Sequence, residues 1–284
     1  MTGALYLLLG ITILYFSGEY LVSGSVSLAK HLKVQPFVIA LTLVAFGTSA
    51  PELAISVNSS LKGLQGITLG NIVGSNIANV LFAIPLACLI KIPKKSDVKK
   101  KDSLFLLVIT VIFCGLVLIE KNFELIYGVV SLSILISYIL FIIYETKIGI
   151  RKLNLNNEDE IELSIFRSSF FSILGIIGVV LGAEILVHGA VLTAELFGIS
   201  QVVIGLTVVA LGTSLPEVAA SMIAAYRGQI NFVFGAILGS NLFNILGITG
   251  VASILAPIKS QATLTNMDLF FLMLSSLIFL AFTI

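Results

Sequence analysis

Long apolar runs alternate with short polar or charged breaks along the whole of this chain. The runs fall near residues 4–29, 36–61, 66–90, 102–119, 124–145, 164–194, 201–226, 231–256 and 267–284. A bilayer's hydrocarbon core takes about 20 helical residues, or about 10 alternating ones in a tilted strand. These runs have the helical length and no two-residue alternation, so they predict an all-α, polytopic membrane protein. Between the fifth and sixth runs lies a charged stretch carrying Arg151, Lys152, Glu158, Asp159 and Glu160, which reads as an aqueous hinge loop. The predicted organisation is a first half over 1–145, a hinge loop over 146–163 and a second half over 164–284.

Composition agrees. Hydrophobic residues make up 58% of the chain and charged residues 11%, against about 25% charged in soluble domains. A net charge of +1 offers no polybasic surface for nucleic acid. Cys88 and Cys114 lie in apolar runs and read as packing residues. The first run carries Glu19 and has a counterpart later in the chain, so it reads as part of the fold and not as a cleavable signal. Lysines and arginines fix an expected orientation, because cytoplasmic loops retain the excess. With the N-terminus outside, 13 of the 16 basic residues fall in inner loops, and only Lys62, Lys121 and Lys259 fall outside. The expectation is a multi-pass protein of the cell membrane with a cytoplasmic hinge loop.

The polar positions repeat. Gly47-Thr48-Ser49-Ala50-Pro51-Glu52 returns as Gly212-Thr213-Ser214-Leu215-Pro216-Glu217, 165 residues later. The same offset carries Gly74-Ser75-Asn76 and Asn79 onto Gly239-Ser240-Asn241 and Asn244, and Glu19 onto Glu184. Residues 36–82 align with 201–247 without a gap, which marks an internal duplication. Five spans precede the second unit. That odd number makes equivalent spans run in opposite directions, an inverted repeat with broken helices at spans two and seven. Nothing after Ile284 matches 124–145, so nine spans are visible where symmetry would give ten.

The duplicated residues carry the chemistry. A carboxylate in mid-bilayer costs about 2.5–3.5 kcal/mol on insertion scales. Every lysine and arginine falls in a loop or at a span end, so Glu52 and Glu217 need a proton or a bound cation for compensation. Pro51 and Pro216 lack the N–H that would bond the carbonyls of Gly47 and Gly212. Free carbonyls are therefore expected over Ala45–Gly47 and Ala210–Gly212, beside the hydroxyls of Thr48, Ser49, Thr213 and Ser214. Ser75 and Asn79 share a helix face, as do Ser240 and Asn244. Gly70 and Gly74, with Gly235 and Gly239, have the spacing that lets such helices approach a neighbour. All these groups are hard oxygen donors, suited to sodium, calcium or magnesium and not to zinc or copper.

Other polar groups have plainer readings. Glu19 and Glu184 lack the surrounding proline and hydroxyls, so structure or ligation remain equally open. His188 aligns with Ser23 and reads as a packing or hydrogen-bonding residue. Asn76 and Asn241 lie about 100° round the helix from the ligand stripe, which suggests helix-to-helix hydrogen bonds. Asn71 aligns with Ala236 and cannot belong to a symmetric site. The cluster Lys94–Lys101 reads as a topology determinant that could also attract anionic lipid.

At these residues the sequence resembles the sodium/calcium exchangers of the cation/calcium exchanger superfamily, whose two repeats carry G-[TS]-S-x-P-[ED] and G-S-x-x-x-[ND]. Both halves match both elements. The resemblance implies a ten-helix plan and a calcium:sodium antiporter with no cofactor, calcium and sodium being its substrates. It further implies that Glu52 and Glu217 are the principal calcium ligands. The carbonyls of Ala45 and Ala210 and the side chains of Thr48, Ser49, Ser75, Asn79, Thr213, Ser214, Ser240 and Asn244 would complete the calcium and sodium sites. Potassium-dependent members usually have Asp where this chain has Asn244, which leans the resemblance towards potassium independence. It also implies three sodium ions per calcium and net charge movement. The hinge loop is too short for the regulatory calcium-binding insert of animal exchangers.

The expected mechanism is alternating access, with the first and sixth spans sliding against the core and a monomer sufficing. Proton- or potassium-coupled antiport is the alternative within the same class. A cation channel with the paired Glu as a selectivity ring is the alternative from another class. An intramembrane hydrolase lacks a base for Ser49 or Ser214, so no enzyme is expected.

Overall fold

The computed structural model describes residues 2–92, 98–119, 122–149, 163–199, 210–258 and 264–283. Helices form almost all of it, and one isolated bridge, Phe123 to Ile258, is the only extended pairing among the described residues. In chain order they are α1 (Thr2–His31), α2 (Pro36–Thr48), α3 (Ala50–Leu61), α4 (Gln65–Ile90), α5 (Lys100–Leu118), α6 (Leu125–Lys147) and α7 (Ile165–Leu196). The short α8 (Ala210–Gly212) leads into α9 (Leu215–Tyr226), followed by α10 (Ile230–Leu255) and α11 (Asn266–Ala281).

Six of these helices are long and apolar enough to cross a membrane, and the bent pair α2–α3 makes a seventh span. The helices α9 and α11 are shorter apolar helices at the positions of the seventh and ninth expected spans. The chain is therefore an integral, all-helical membrane protein. Of the expected hinge loop, residues 150–162 lie outside the described residues, as do 201–209 of the seventh span and 93–97 of the lysine cluster.

The buried core gathers α10 between α4, α5, α6 and α11, with Phe234, Ile237, Leu238 and Leu242 enclosed. The outward faces of α1 and α7 expose Leu5, Leu8, Phe16, Phe166, Phe170 and Ile173, a lipid-facing pattern. Against each other these two helices pack along their length through glycine. A Cβ on Gly10 would meet the Leu186 backbone at 2.7 Å, and one on Gly175 the Leu21 backbone at 2.4 Å. Small residues at such a seam let two backbones touch.

Loops gather on two faces. On one, the ends of α1 and α7 are joined by His31 Nε2 to the Leu163 carbonyl at 2.5 Å, and Lys91 lies against Gly228. On the other, Phe123 and Ile258 exchange backbone hydrogen bonds at 2.9 Å, and Ser60 donates to the Ala256 carbonyl. The first face carries the lysine-rich loops. Its lysines are held locally: Lys99 and Lys101 both pair with the buried Glu145.

Candidate cation site

The helix α2 stops at Thr48 because Ser49 leaves helical geometry at φ −83°, ψ 10°, and Pro51 stands in the first turn of α3. Proline is preorganised for that position and its missing N–H costs nothing there. The two segments meet at 45°. The second repeat breaks the same way, with Ser214 at φ −87°, ψ 1° and Pro216 opening α9. Each break sets a Glu in the first turn of the following helix, Glu52 in α3 and Glu217 in α9, and both are 1% exposed. A helix N-terminus is the end at which a carboxylate is electrostatically favoured.

The two carboxylates share one enclosure, close enough to act on each other electrostatically. Partners cross between repeats. Ser49 Oγ donates to Glu217 Oε1 at 2.9 Å, and Ser240 Oγ donates to the same oxygen at 3.3 Å. Thr48 stands beside Glu217, but its hydroxyl donates to the Val44 carbonyl at 3.1 Å. Thr213 and Ser75 stand beside Glu52 without closing a hydrogen bond to it. What remains is a set of buried polar atoms with no protein partner: both oxygens of Glu52, Glu217 Oε2, Thr213 Oγ1, Ser214 Oγ, Asn79 Oδ1 and both amide atoms of Asn244. Buried polar groups are almost always paired. Bare oxygens and two buried acids, with no lysine or arginine bonded to either acid among the described residues, have the composition of a cation site.

Of the expected residues, Ser49, Ser240 and Thr48 stand at Glu217 and Thr213 and Ser75 at Glu52, and the carbonyls need correction. The Ala45 carbonyl is not bare, since the Ser49 N–H bonds it at 3.1 Å and the Thr48 hydroxyl lies 3.5 Å from it. The helix breaks after Thr48, so the bond that Ser49 completes survives there. In the second repeat Ser214 N–H bonds Leu211 at 3.2 Å instead, so it does not occupy the Ala210 carbonyl.

Three features were not read from the sequence. First, α4 widens to a π-helical stretch at Asn79–Ala83, and α10 does so at Phe243–Ile248, so Asn79 and Asn244 both sit in wide turns. A third, Ala40–Val44, precedes the first break. Such turns often mark functional sites, and their only trace in sequence is an amide inside an apolar helix. Second, Asn241 donates nothing to the site but accepts from Asn79 Nδ2 at 3.0 Å, which turns Asn79 Oδ1 free. The helix-to-helix bond expected of Asn241 is present, and it orients a site amide. The Asn76 side chain donates to the Ile72 carbonyl in its own helix, while its backbone carbonyl accepts from Asn241 Nδ2 at 3.4 Å, a bond between the helices. Third, Asn71 donates to the Glu52 carbonyl at 3.0 Å and to Ser56 Oγ at 2.9 Å, while the counterpart Ser221 Oγ has no partner. The duplicated pair Ser56 and Ser221 was legible as an identity at the 165 offset.

The remaining polar residues lie elsewhere. Glu19 is ion-paired to Arg227, which approaches from the end of α9, and it takes no part in the site. Glu184 is exposed. His188 packs edge-on against Tyr6, ring centroids 4.9 Å apart, as a packing residue should. Gly235 and Gly239 hold α10 against α2 at Phe37 and Leu41, whereas Gly70 and Gly74 meet no comparable neighbour among the described residues.

The sequence model of the family described as "Sodium/calcium exchanger protein" matches residues 2–144 and 168–284. The chain belongs to the sodium/calcium exchanger family. It is 33% identical over 306 residues to the sodium/calcium exchanger MaX1 of Methanosarcina acetivorans, covering 94% of this chain and 86% of that protein. The inner membrane protein YrbG of Escherichia coli is 29% identical over 280 residues, 96% of this chain and 86% of its own length. A solved structure of the sodium–calcium exchanger NCX_Mj superposes with a TM-score of 0.85 at 34% identity, covering 99% of this chain and 90% of that one. Membership makes the chain a membrane cation/calcium antiporter, a transporter and not a member of a catalytic enzyme family.

Proposed function

We propose that the chain exchanges calcium for sodium across the cell membrane by alternating access, electrogenically and without potassium. The observation that carries this is the pair of buried carboxylates, Glu52 and Glu217, surrounded by unpartnered oxygens and no basic side chain. Two negative charges are offset by one calcium ion or by two to three sodium ions, and both sets cannot occupy the enclosure together. Competition then becomes exchange. An empty, dehydrated site leaves unpaired charge in the membrane, so the switch between faces is favoured with ions bound.

Glu52 and Glu217 serve as calcium ligands in this reading. Thr48, Ser49, Ser75, Asn79, Thr213, Ser214, Ser240, Asn244 and the Ala45 and Ala210 carbonyls supply the neutral oxygens. A neutral Asn244 in place of an acid keeps the site at two charges, which supports potassium independence. Sodium and calcium are the substrates, no cofactor takes part, and one chain holds all the ligands. The lysine-rich loop face is cytoplasmic and the N-terminus outside, with two inverted halves over 1–145 and 164–284 and a hinge at 146–163. The glycine-seamed pair α1–α7 is the body that slides, because it packs tightly on itself and faces lipid.

The test is radiolabelled calcium uptake into vesicles loaded with sodium, with lithium, potassium and a proton gradient substituted in turn. Uptake that needs the sodium gradient and carries charge supports the reading. An uncoupled saturating flux identifies a channel instead.

A further inference from the structure

The offset that duplicates the cation site also duplicates two charges outside it. Glu19 of α1 corresponds to Glu184 of α7, and Lys62 at the end of α3 corresponds to Arg227 at the end of α9. The structure treats the two sets differently. Arg227 grips Glu19 through Nε at 2.8 Å and through Nη2, while its Nη1 donates to Ser23 at 3.1 Å. Both side chains are mostly covered, at 27% and 21% exposed. Lys62 and Glu184 are both exposed, and neither makes an ion pair.

Packing shows the same asymmetry. Gly18 of α1 lies against Ile223 of α9, so close that a Cβ would meet the Ile223 side chain at 2.4 Å. The counterpart contact, Ala183 of α7 on Asn58 of α3, is missing: among the described residues α7 makes no comparable packing on α3. On α9 the covered positions include Ala220 at 0% and Ile223 at 8% exposed. On α3 the equivalent Ile55 is 36% exposed, and Ala54 and Asn58 are exposed as well. One end of the α1–α7 body is thus closed on the core at the lysine-rich face, and the other stands off it at the opposite face.

We propose that Glu19–Arg227 and Glu184–Lys62 are two symmetry-related coupling pairs, formed one at a time, that set the two end states of the exchange cycle. Here the pair at the lysine-rich face is formed and the α1–α7 body is closed on the core there, while its counterpart contact at the opposite face is not made. In the other end state the α1–α7 body shifts, Arg227 releases Glu19, and Lys62 reaches Glu184, with α7 covering Ile55 and Asn58. Neither pair touches an ion, so both act on which face is open and not on which ion binds. The inference rests on the alternating-access reading above. The pairs are also unequal. A guanidinium forks onto a carboxylate with several donors where an ammonium presents a point charge, so the state seen here is the better held of the two.

The experiment uses the full chain, with Cys88 and Cys114 replaced by Ser, reconstituted in vesicles. Single charge reversals, Arg227→Glu or Lys62→Glu, are expected to slow sodium-driven calcium uptake about three- to tenfold, the range of one well-formed partly covered ion pair. The swapped pairs E19R/R227E and E184K/K62E are expected to recover most of it. Separately, K62C/E184C is expected to cross-link in a minority of molecules, and adding Glu19→Gln should raise that yield by releasing the opposing pair. Reversals without effect, swaps without recovery, or a K62C/E184C yield indifferent to Glu19→Gln would overturn the proposal. The cross-link is read without transport. A chain that shows no sodium-driven uptake therefore defeats the exchanger reading while the cross-linking result still decides the pairs.

Discussion

At the scale of single residues, the acids dominate. Glu52→Gln and Glu217→Gln each remove one of the two charges that a divalent ion needs, and both are expected to reduce calcium uptake to background while the protein still folds. Substitution of Asn244 by Asp adds a third charge to the enclosure. It is expected to change how uptake responds to potassium or pH, and an unchanged response would remove Asn244 from the proposed ligand set. Asn241 acts through Asn79. Asn241→Ala frees the Asn79 amide to rotate, and losing one buried hydrogen bond of about 1 kcal/mol corresponds to about a fivefold higher KM for calcium, with little change in maximal rate. The acids and hydroxyls were legible in the sequence because polar groups cost so much in lipid that a duplicated set stands out. The direction in which Asn79 points was not, since it depends on Asn241 arriving from another helix.

Helices and their seams carry the next set of consequences. The break between α2 and α3 was readable from Gly47 and Pro51, and the span boundaries from the apolar runs. Two features were hidden. The π-helical turns at Asn79 and Phe243–Ile248 arise from how α4 and α10 seat their amides, which residue type alone does not encode. The Glu19–Arg227 pair was missed because Arg227 reads as a loop residue until α1 is seen packed on α9. The α1–α7 seam offers a test of its own. A methyl on Gly175 drives into the Leu21 backbone, which cannot move aside as a side chain would. Gly175→Ala is therefore expected to lower stability by about 1–3 kcal/mol, seen as an earlier thermal transition in detergent. Gly115, with open space around it, is the control that should tolerate the same change.

For the whole molecule, the duplication supplies the two acids of the proposed site from two halves, and the structure shows how unequally those halves are bonded. Ser49 and Ser240 both bond the Glu217 carboxylate, while the Glu52 carboxylate oxygens have no partner among the described residues. One ion pair between the α1–α7 body and the core is formed and its counterpart is open. Symmetric sequence with asymmetric contacts is what the alternating-access proposal calls for. The central claim is that calcium and sodium compete for the two buried acids. Its most direct test is radiolabelled calcium uptake into sodium-loaded vesicles by the native chain, Glu52→Gln and Glu217→Gln side by side. The account predicts sodium-dependent uptake by the native chain and none by either variant. Uptake that persists without a sodium gradient, or in either variant, would contradict it.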